Sequence, residues 1–192
     1  MAKKATKRAP KKKSKIGSNT ANWRKILRWT GIGFLACFIA VFIVFRFVPI
    51  PTTPYILSEK SRLGSVHFEW MPIEEISDTL KLTVVAAEDV NFCQHWGFDM
   101  SAIRAAIQDG GDRGASTLTQ QVVKNTFLWH GRSWVRKTLE AFLTPLLELF
   151  WSKERILEVY LNVAEFDEGV FGAEAASLHY FGISSDSLTL AE

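Results

Sequence analysis

Seventeen consecutive residues, 29–45, decide the surroundings in which this chain can fold. They are apolar apart from Thr30 and two glycines, and residues 47–50 prolong the run beyond Arg46. A helix needs roughly 20 apolar residues, within a range of about 17–25, to cross the hydrocarbon of a bilayer. Arg46 can reach the interface with its long side chain. Trp23 and Trp29 stand where interfacial aromatics belong. Pro49 and Pro51 end the helix. A cleaved signal peptide is the competing reading, but the run exceeds a usual signal core and no small-x-small cleavage site follows. Residues 29–48 therefore read as a retained anchor.

Charge agrees with that division. Eleven of the 23 Lys and Arg fall in residues 1–28, where there is no Asp or Glu. The rest of the chain holds all 20 acids against twelve cations. Its basic balance thus belongs to a tail, and a nucleic-acid-binding body loses its support. Residues 1–28 read as a basic cytoplasmic tail, disordered over 1–22, and the chain beyond the anchor then lies outside the cytoplasm. With only Cys37 and Cys93, neither a disulfide framework nor a cysteine zinc site is expected.

Residues 49–71 read as a linker, mainly extended, and residues 72–192 as one domain. Pro72 is expected to open a helix, with Glu74 and Glu75 in its first turn and Ile73, Ile76, Leu80 and Val84 at helical spacing. Asp99 can cap a helix to Gln108, which Gly110 and Gly111 end. Thr117 and Gln120 have capping-box spacing for a helix to Phe127. Ser133 can cap a long helix through Phe150, bent at Pro145. Ser152 can start another, with Ile156, Leu157, Tyr160 and Leu161 on its apolar face. No strand stands out and no repeat is visible. The last residues, 188–192, read as the start of a further helix, so the domain is expected to be truncated at its C-terminus.

Several familiar sites are absent: HExxH, GxxxxGK[ST], GxGxxG, GxSxG and SxxK do not occur. His67, His95, His130 and His179 are too scattered for a histidine metal site. Four other segments carry candidate chemistry. Glu88 and Asp89 end an apolar helix and enter an aromatic-rich turn. A carboxyl dehydrated there would have a raised pKa and suit acid–base work on sugars. Solvated acids at a helix end are the plain alternative. Residues 113–125, Arg-Gly-Ala-Ser-Thr-Leu-Thr-Gln-Gln-Val-Val-Lys-Asn, put hydroxyls and free N–H groups at a helix start, with Lys124 one point charge for a phosphate. Plain capping by Thr117 competes. Arg136, Lys137 and Glu140 share a helix turn, either as a surface ion pair or as a second carboxylate beside phosphate-binding cations. Arg155, Glu158 and Asn162 share a polar face, which an ordinary amphipathic helix also explains.

In this order and at these intervals the segments resemble the glycosyltransferase family 51 peptidoglycan glycosyltransferases, most nearly their monofunctional branch. The family's five motifs are matched by residues 88–97, 114–121, 136–140, 155–162 and 172–182. The resemblance covers roughly residues 70–192. It implies a mainly α, lysozyme-like glycosyltransferase domain with a small membrane-associated jaw, following one transmembrane helix. It implies polymerisation of lipid II into β-1,4 glycan with release of undecaprenyl pyrophosphate. The enzyme would sit in the cytoplasmic (inner) membrane with its catalytic domain in the periplasm, and cell-division or cell-wall synthesis proteins would be candidate partners.

Carried over by position, Glu88 matches the base that deprotonates the acceptor hydroxyl, and Glu140 matches the second catalytic carboxylate. Lys124, Arg136 and Lys137 match pyrophosphate-binding positions. Ser116, Thr117, Gln120 and Gln121 line the same cleft, and Asp89, Asn125 and Arg155 join the substrate-binding set. Glu158 and Asn162 match supporting positions. A divalent cation, Mg or Mn, is a candidate at the pyrophosphate, with no covalent cofactor and no nucleic acid. A pyrophosphate leaving group needs cations rather than a proton, which separates a polymerase from a lysozyme-like cleaver. A catalytically inactive scaffold, or a tail active by binding anionic lipid or nucleic acid, are the readings from other classes.

Overall fold

A computed structural model describes residues 17–110, 114–189 and 191, with side chains from residue 23 onward. The expected tail residues 1–16, Gly111, Arg113, Leu190 and Glu192 lie outside the described residues. The chain divides between Val41 and Phe42 into two units.

The first unit is carried by α1 (Gly17–Phe45), whose last residues, from Phe42, belong to the second. The helix begins at Gly17, inside the expected tail, because no proline or glycine interrupts residues 18–30. Within it, the 23 residues Trp23–Phe45 form the one helix among the described residues long and apolar enough to cross a membrane, with mean hydropathy 2.1 over its most apolar 18 residues. The Thr30 hydroxyl, the one polar side chain within residues 29–45, donates back to the Ile26 carbonyl at 3.0 Å and so is satisfied inside the helix.

The second unit is mainly helical. Its elements are α2 (Pro54–Leu63), β1 (His67–Phe68), a 3₁₀ turn (Ile73–Glu75), α3 (Asp78–Glu88), α4 (Met100–Gln108), α5 (Leu118–Phe127), α6 (Trp134–Phe150), α7 (Lys153–Val163), β2 (Glu165–Asp167), β3 (Val170–Phe171) and α8 (Ala173–Tyr180). The α5 helix packs on α6 and α7. Leu118, Val122, Val123, Leu147, Ile156, Val159 and Leu161 are fully buried on these three helices.

Three sequence expectations need correction. Residues 54–63 are helical rather than extended linker. Thr53 caps them by accepting from Ile56 N at 3.2 Å, Pro54 occupies the first turn, and Tyr55 and Ile56 are buried. The helix expected from Pro72 is cut in two. Ile76 turns extended, and Ser77 starts α3 as its cap while its own N–H bonds Ser185 O. Finally, three short strands form a sheet in the order β1-β3-β2, parallel for β1 and β3 and antiparallel for β2 and β3. Strands of two or three residues are too short to show an alternating pattern. Gly172 (φ 88°) follows β3, where a Cβ would stand 2.7 Å from Asn162 O. Asn162 is spent as a brace, accepting from Met71 N and donating to Met71 O.

Candidate active site

The end of α3 places its two acids in opposite surroundings. Asp89, the C-cap, turns inward and is buried. Its carboxylate pairs with His95 Nε2 at 2.8 Å and accepts from Leu118 N, the first residue of α5, at 3.0 Å. An anion at a helix N-terminus is favourable, and here it also ties the end of α3 to the start of α5. Glu88 points the other way and stays exposed, accepting from Gln121 Nε2 at 2.8 Å. The dehydrated aromatic surround expected for it does not form. Phe92 is buried beneath Lys153, and Trp96 is exposed.

The α5 start forms the predicted capping box. Thr117 accepts from Gln120 N, and Gln120 Oε1 accepts from Thr117 N at 3.1 Å. The Thr117 hydroxyl also donates to Gly97 O at 2.7 Å. Gly97 must be glycine there: its φ is 88°, and a Cβ would meet Thr144 Cγ2 at 2.6 Å. Thr119 donates to Glu148 at 2.6 Å, and Lys153 closes on the same oxygen at 2.7 Å. This Thr119–Glu148–Lys153 link crosses three helices and carries no local signal that sequence reasoning could use.

Across from Glu88, the first turns of α6 supply the second carboxylate. Glu140 is buried, with Oε2 held by Arg136 at 2.9 Å and Oε1 by Lys137 Nζ. Arg136 in turn donates through Nε to Gly131 O at 2.7 Å. Lys137 also reaches Ser116 Oγ at 3.3 Å. Lys124, half-buried on α5, completes the group. Burial pushes its ammonium below the ordinary lysine range, Glu140 opposes that, Arg136 and Lys137 reinforce it, and Glu88 opposes it. Lys124 thus lies within electrostatic reach of both carboxylates.

Ser116 connects the two halves. With Glu88, Asp89 and Thr117 it lines a cleft of about 410 Å³, and it takes the hydrogen bond from the Glu140-paired lysine. The structure therefore brings together Glu88, Ser116, Thr117, Gln121, Lys124, Arg136, Lys137 and Glu140. Gln120 is consumed by the capping box. Asn125 is buried and does not line the cleft.

Arg155 stands apart. It donates to Phe45 O at 3.0 Å, to Val48 O and to Glu158, and it lies over the rings of Trp70 and Trp151. Its donors hold backbone and Glu158, so its geometry is that of a structural brace rather than a substrate contact. The expected polar outer face of α7 is also revised, since Arg155 and Asn162 are buried alongside the apolar residues. Tyr160, on the same helix, is a site neighbour that sequence reasoning passed over. Burial, then the Glu88 charge, raises its phenol pKa.

A divalent cation at this site would have to be shared with a substrate diphosphate, because the protein offers no cage of its own among the described residues. Both Glu140 oxygens already face cations, and among the described residues no group of three or more His, Cys, Asp or Glu could hold a metal. What the arrangement offers is one open carboxylate, hydrogen-bonded and uncrowded, beside three cations grouped around a buried one. That suits removal of a proton next to stabilisation of a departing anion.

Comparison with known proteins bears on the family. A family model described as Transglycosylase matches residues 57–192. The biosynthetic peptidoglycan transglycosylase of Jannaschia sp. (strain CCS1) is 54% identical over 186 residues, covering 95% of this chain and 78% of the relative. The protein of the same name from Pseudomonas putida (strain W619) is 53% identical over 166 residues, covering 81% and 70%. The one from Pasteurella multocida (strain Pm70) is 45% identical over 180 residues, covering 88% and 73%. By its motifs, its helical architecture and these matches, the chain belongs to the transglycosylase family.

Proposed function

We propose that this chain is a peptidoglycan glycosyltransferase that polymerises lipid II and releases undecaprenyl pyrophosphate. The observation that carries the reading is the pairing of an open Glu88 with the Lys124–Arg136–Lys137 group around Glu140. Glu88, positioned by Gln121, takes the proton of the acceptor's 4-hydroxyl. The oxygen attacks C1 of the donor sugar, and the bond from C1 to the phosphate oxygen breaks. The electron pair leaves on the diphosphate, where Lys124, Arg136 and Lys137 hold the developing charge. No proton is needed by that leaving group, so a second acid is superfluous. Attack from the face opposite the departing diphosphate turns an α-linked donor into a β-1,4 product.

The membrane setting belongs to the same proposal. Trp23–Phe45 anchors the chain in the cytoplasmic (inner) membrane, the basic tail stays in the cytoplasm, and the second unit works in the periplasm on lipid II and the growing glycan. The exposed apolar face of α6, with Val135, Leu139, Phe142 and Leu149, suits the membrane-associated jaw. Cell-division or cell-wall synthesis proteins are the candidate protein partners.

The deciding experiment is turnover of labelled lipid II by wild type, Glu88→Gln and Glu140→Gln. Polymer from wild type, lost in Glu88→Gln, is expected. Shortened glycan from intact sacculi, with no polymer, would favour a lytic enzyme instead. Polymer undiminished in Glu88→Gln would remove that residue as the base.

A further inference from the structure

We propose that Asn91 is a specificity-determining residue, its Oδ1 accepting a hydrogen bond from the acetamido N–H of the attacking sugar. The inference rests on the reading of Glu88 as the base, which makes the adjoining cleft the place of the acceptor.

That cleft is lined by Glu88 and Asn91 together, and none of Lys124, Arg136, Lys137 or Glu140 contributes to it. Its apolar walls are small: Ala87, Val90, Ala102 and Ala105. Its acids other than Glu88 are already occupied. Asp89 is engaged by His95 and Leu118 N. Asp99 caps α4, accepting from Ser101 N at 2.8 Å, from Ala102 N at 2.9 Å and from the Ser101 hydroxyl. Among the described residues the cleft thus carries little free charge beside the base, which suits an uncharged ring rich in hydrogen-bond donors rather than the diphosphate.

Asn91 is fixed in a particular sense. Its Nδ2 donates to Asp99 Oδ2 at 2.8 Å and to Ser101 Oγ at 3.4 Å. The Ser101 hydroxyl, the Ala102 N–H and the Asn91 amide hold the Asp99 carboxyl well below the usual carboxylate range, so it is an anion at any working pH. An anion accepts and cannot donate, so only the NH₂ end of the amide can face it. The chemistry of the anion therefore fixes the orientation of the Asn91 amide. The end left over is an acceptor, and no donor among the described residues is bonded to it. A polar group oriented in advance and waiting for a donor discriminates against ligands that lack one.

The test uses the full chain in lipid vesicles with two lipid-linked acceptors. One carries an acetamido group on the attacking sugar, and the other carries a hydroxyl in its place. Wild type is expected to prefer the first about tenfold in acceptor kcat/KM, the factor one neutral hydrogen bond supplies, mainly through KM. Asn91→Leu is expected to bring the two within about twofold. Asp99→Ser keeps a capping oxygen for α4 but removes the anion that orients the amide, and should fall between them. Equal losses on both acceptors with the ratio preserved would make Asn91 a brace for α4 and overturn the proposal. So would a wild type without preference. Direct binding of the same acceptors separates the two levels. An Asn91-dependent preference in binding with no polymer formed would sink the polymerase reading and leave this one standing. Polymer formed without such a preference would do the reverse.

Discussion

Glu88 and Glu140 share a residue type and differ in almost everything else, so their amides should fail differently. Glu88 is exposed and makes one side-chain hydrogen bond. Glu88→Gln should leave thermal stability within about 0.5 kcal/mol of wild type while turnover falls by on the order of 10²–10⁴. Glu140 is buried between two cations. Glu140→Gln strands Arg136 and Lys137 together and should cost about 3–5 kcal/mol of stability as well as activity, read by thermal melts alongside the assay. Lys124 supplies a pH signature. Its pKa is lowered by burial, so its positive charge is present below that pKa and is lost at a lower pH than for an exposed lysine. If that charge grips diphosphate, kcat/KM falls on an alkaline limb below the ordinary lysine value of about 10.4. Lys124→Arg, whose guanidinium stays charged, should push the limb upward. A limb that stays in place would assign it to another group.

At the scale of elements, the α5 start is the most exposed to single changes. Thr117→Val removes the hydroxyl that caps the helix and holds Gly97 O, and should cost about 0.5–2 kcal/mol by chemical denaturation. It should also lower activity, because Ser116 and Gln121 are placed by that helix. This was also the most legible part of the chain. A cap needs one side-chain oxygen and an N–H two or three residues on, so Asp99, Thr117, Ser133 and Ser152 could each be read locally, and each caps the helix assigned to it. What stayed hidden depends on distant partners. Residues 49–71 read as extended linker, yet α2 is held by burying Tyr55 and Ile56 against Phe171. Strand β1 exists only because residues 170–171 come to pair with it. The same holds for the site. Residue types and intervals marked Glu88, Lys124, Arg136 and Glu140. They could not show that Asp89 turns inward to His95, that Gln120 is used up by its own helix, or that Arg155 is spent on the carbonyls of Phe45 and Val48.

For the whole molecule, the anchor and the catalytic unit make separable demands. If the tail serves only to set topology and adhere to anionic headgroups, at about 1 kcal/mol per cation near the surface, its loss is a matter of partitioning. Deleting residues 2–22 should then reduce membrane-bound enzyme modestly, by sedimentation with vesicles, and leave turnover per bound molecule unchanged. Abolished turnover per bound molecule would place function in the tail. The inward fixing of residues 42–48 bears on the same point. Trp151 Nε1 donates to Phe42 O at 2.8 Å, and Arg155 bonds Phe45 O and Val48 O, so the chain enters the catalytic unit through paired carbonyls.

The two cations clasping Glu140 also say how such a pocket behaves between turnovers. A cluster of Lys and Arg left bare would capture any stray phosphate and hold its own product. Here a tethered carboxylate is always in residence as a stand-in. On the proposed reading, an arriving diphosphate would compete with Glu140 for Arg136 and Lys137, and a departing one would hand them back to it. Such an exchange would favour a multidentate diphosphate over simple anions.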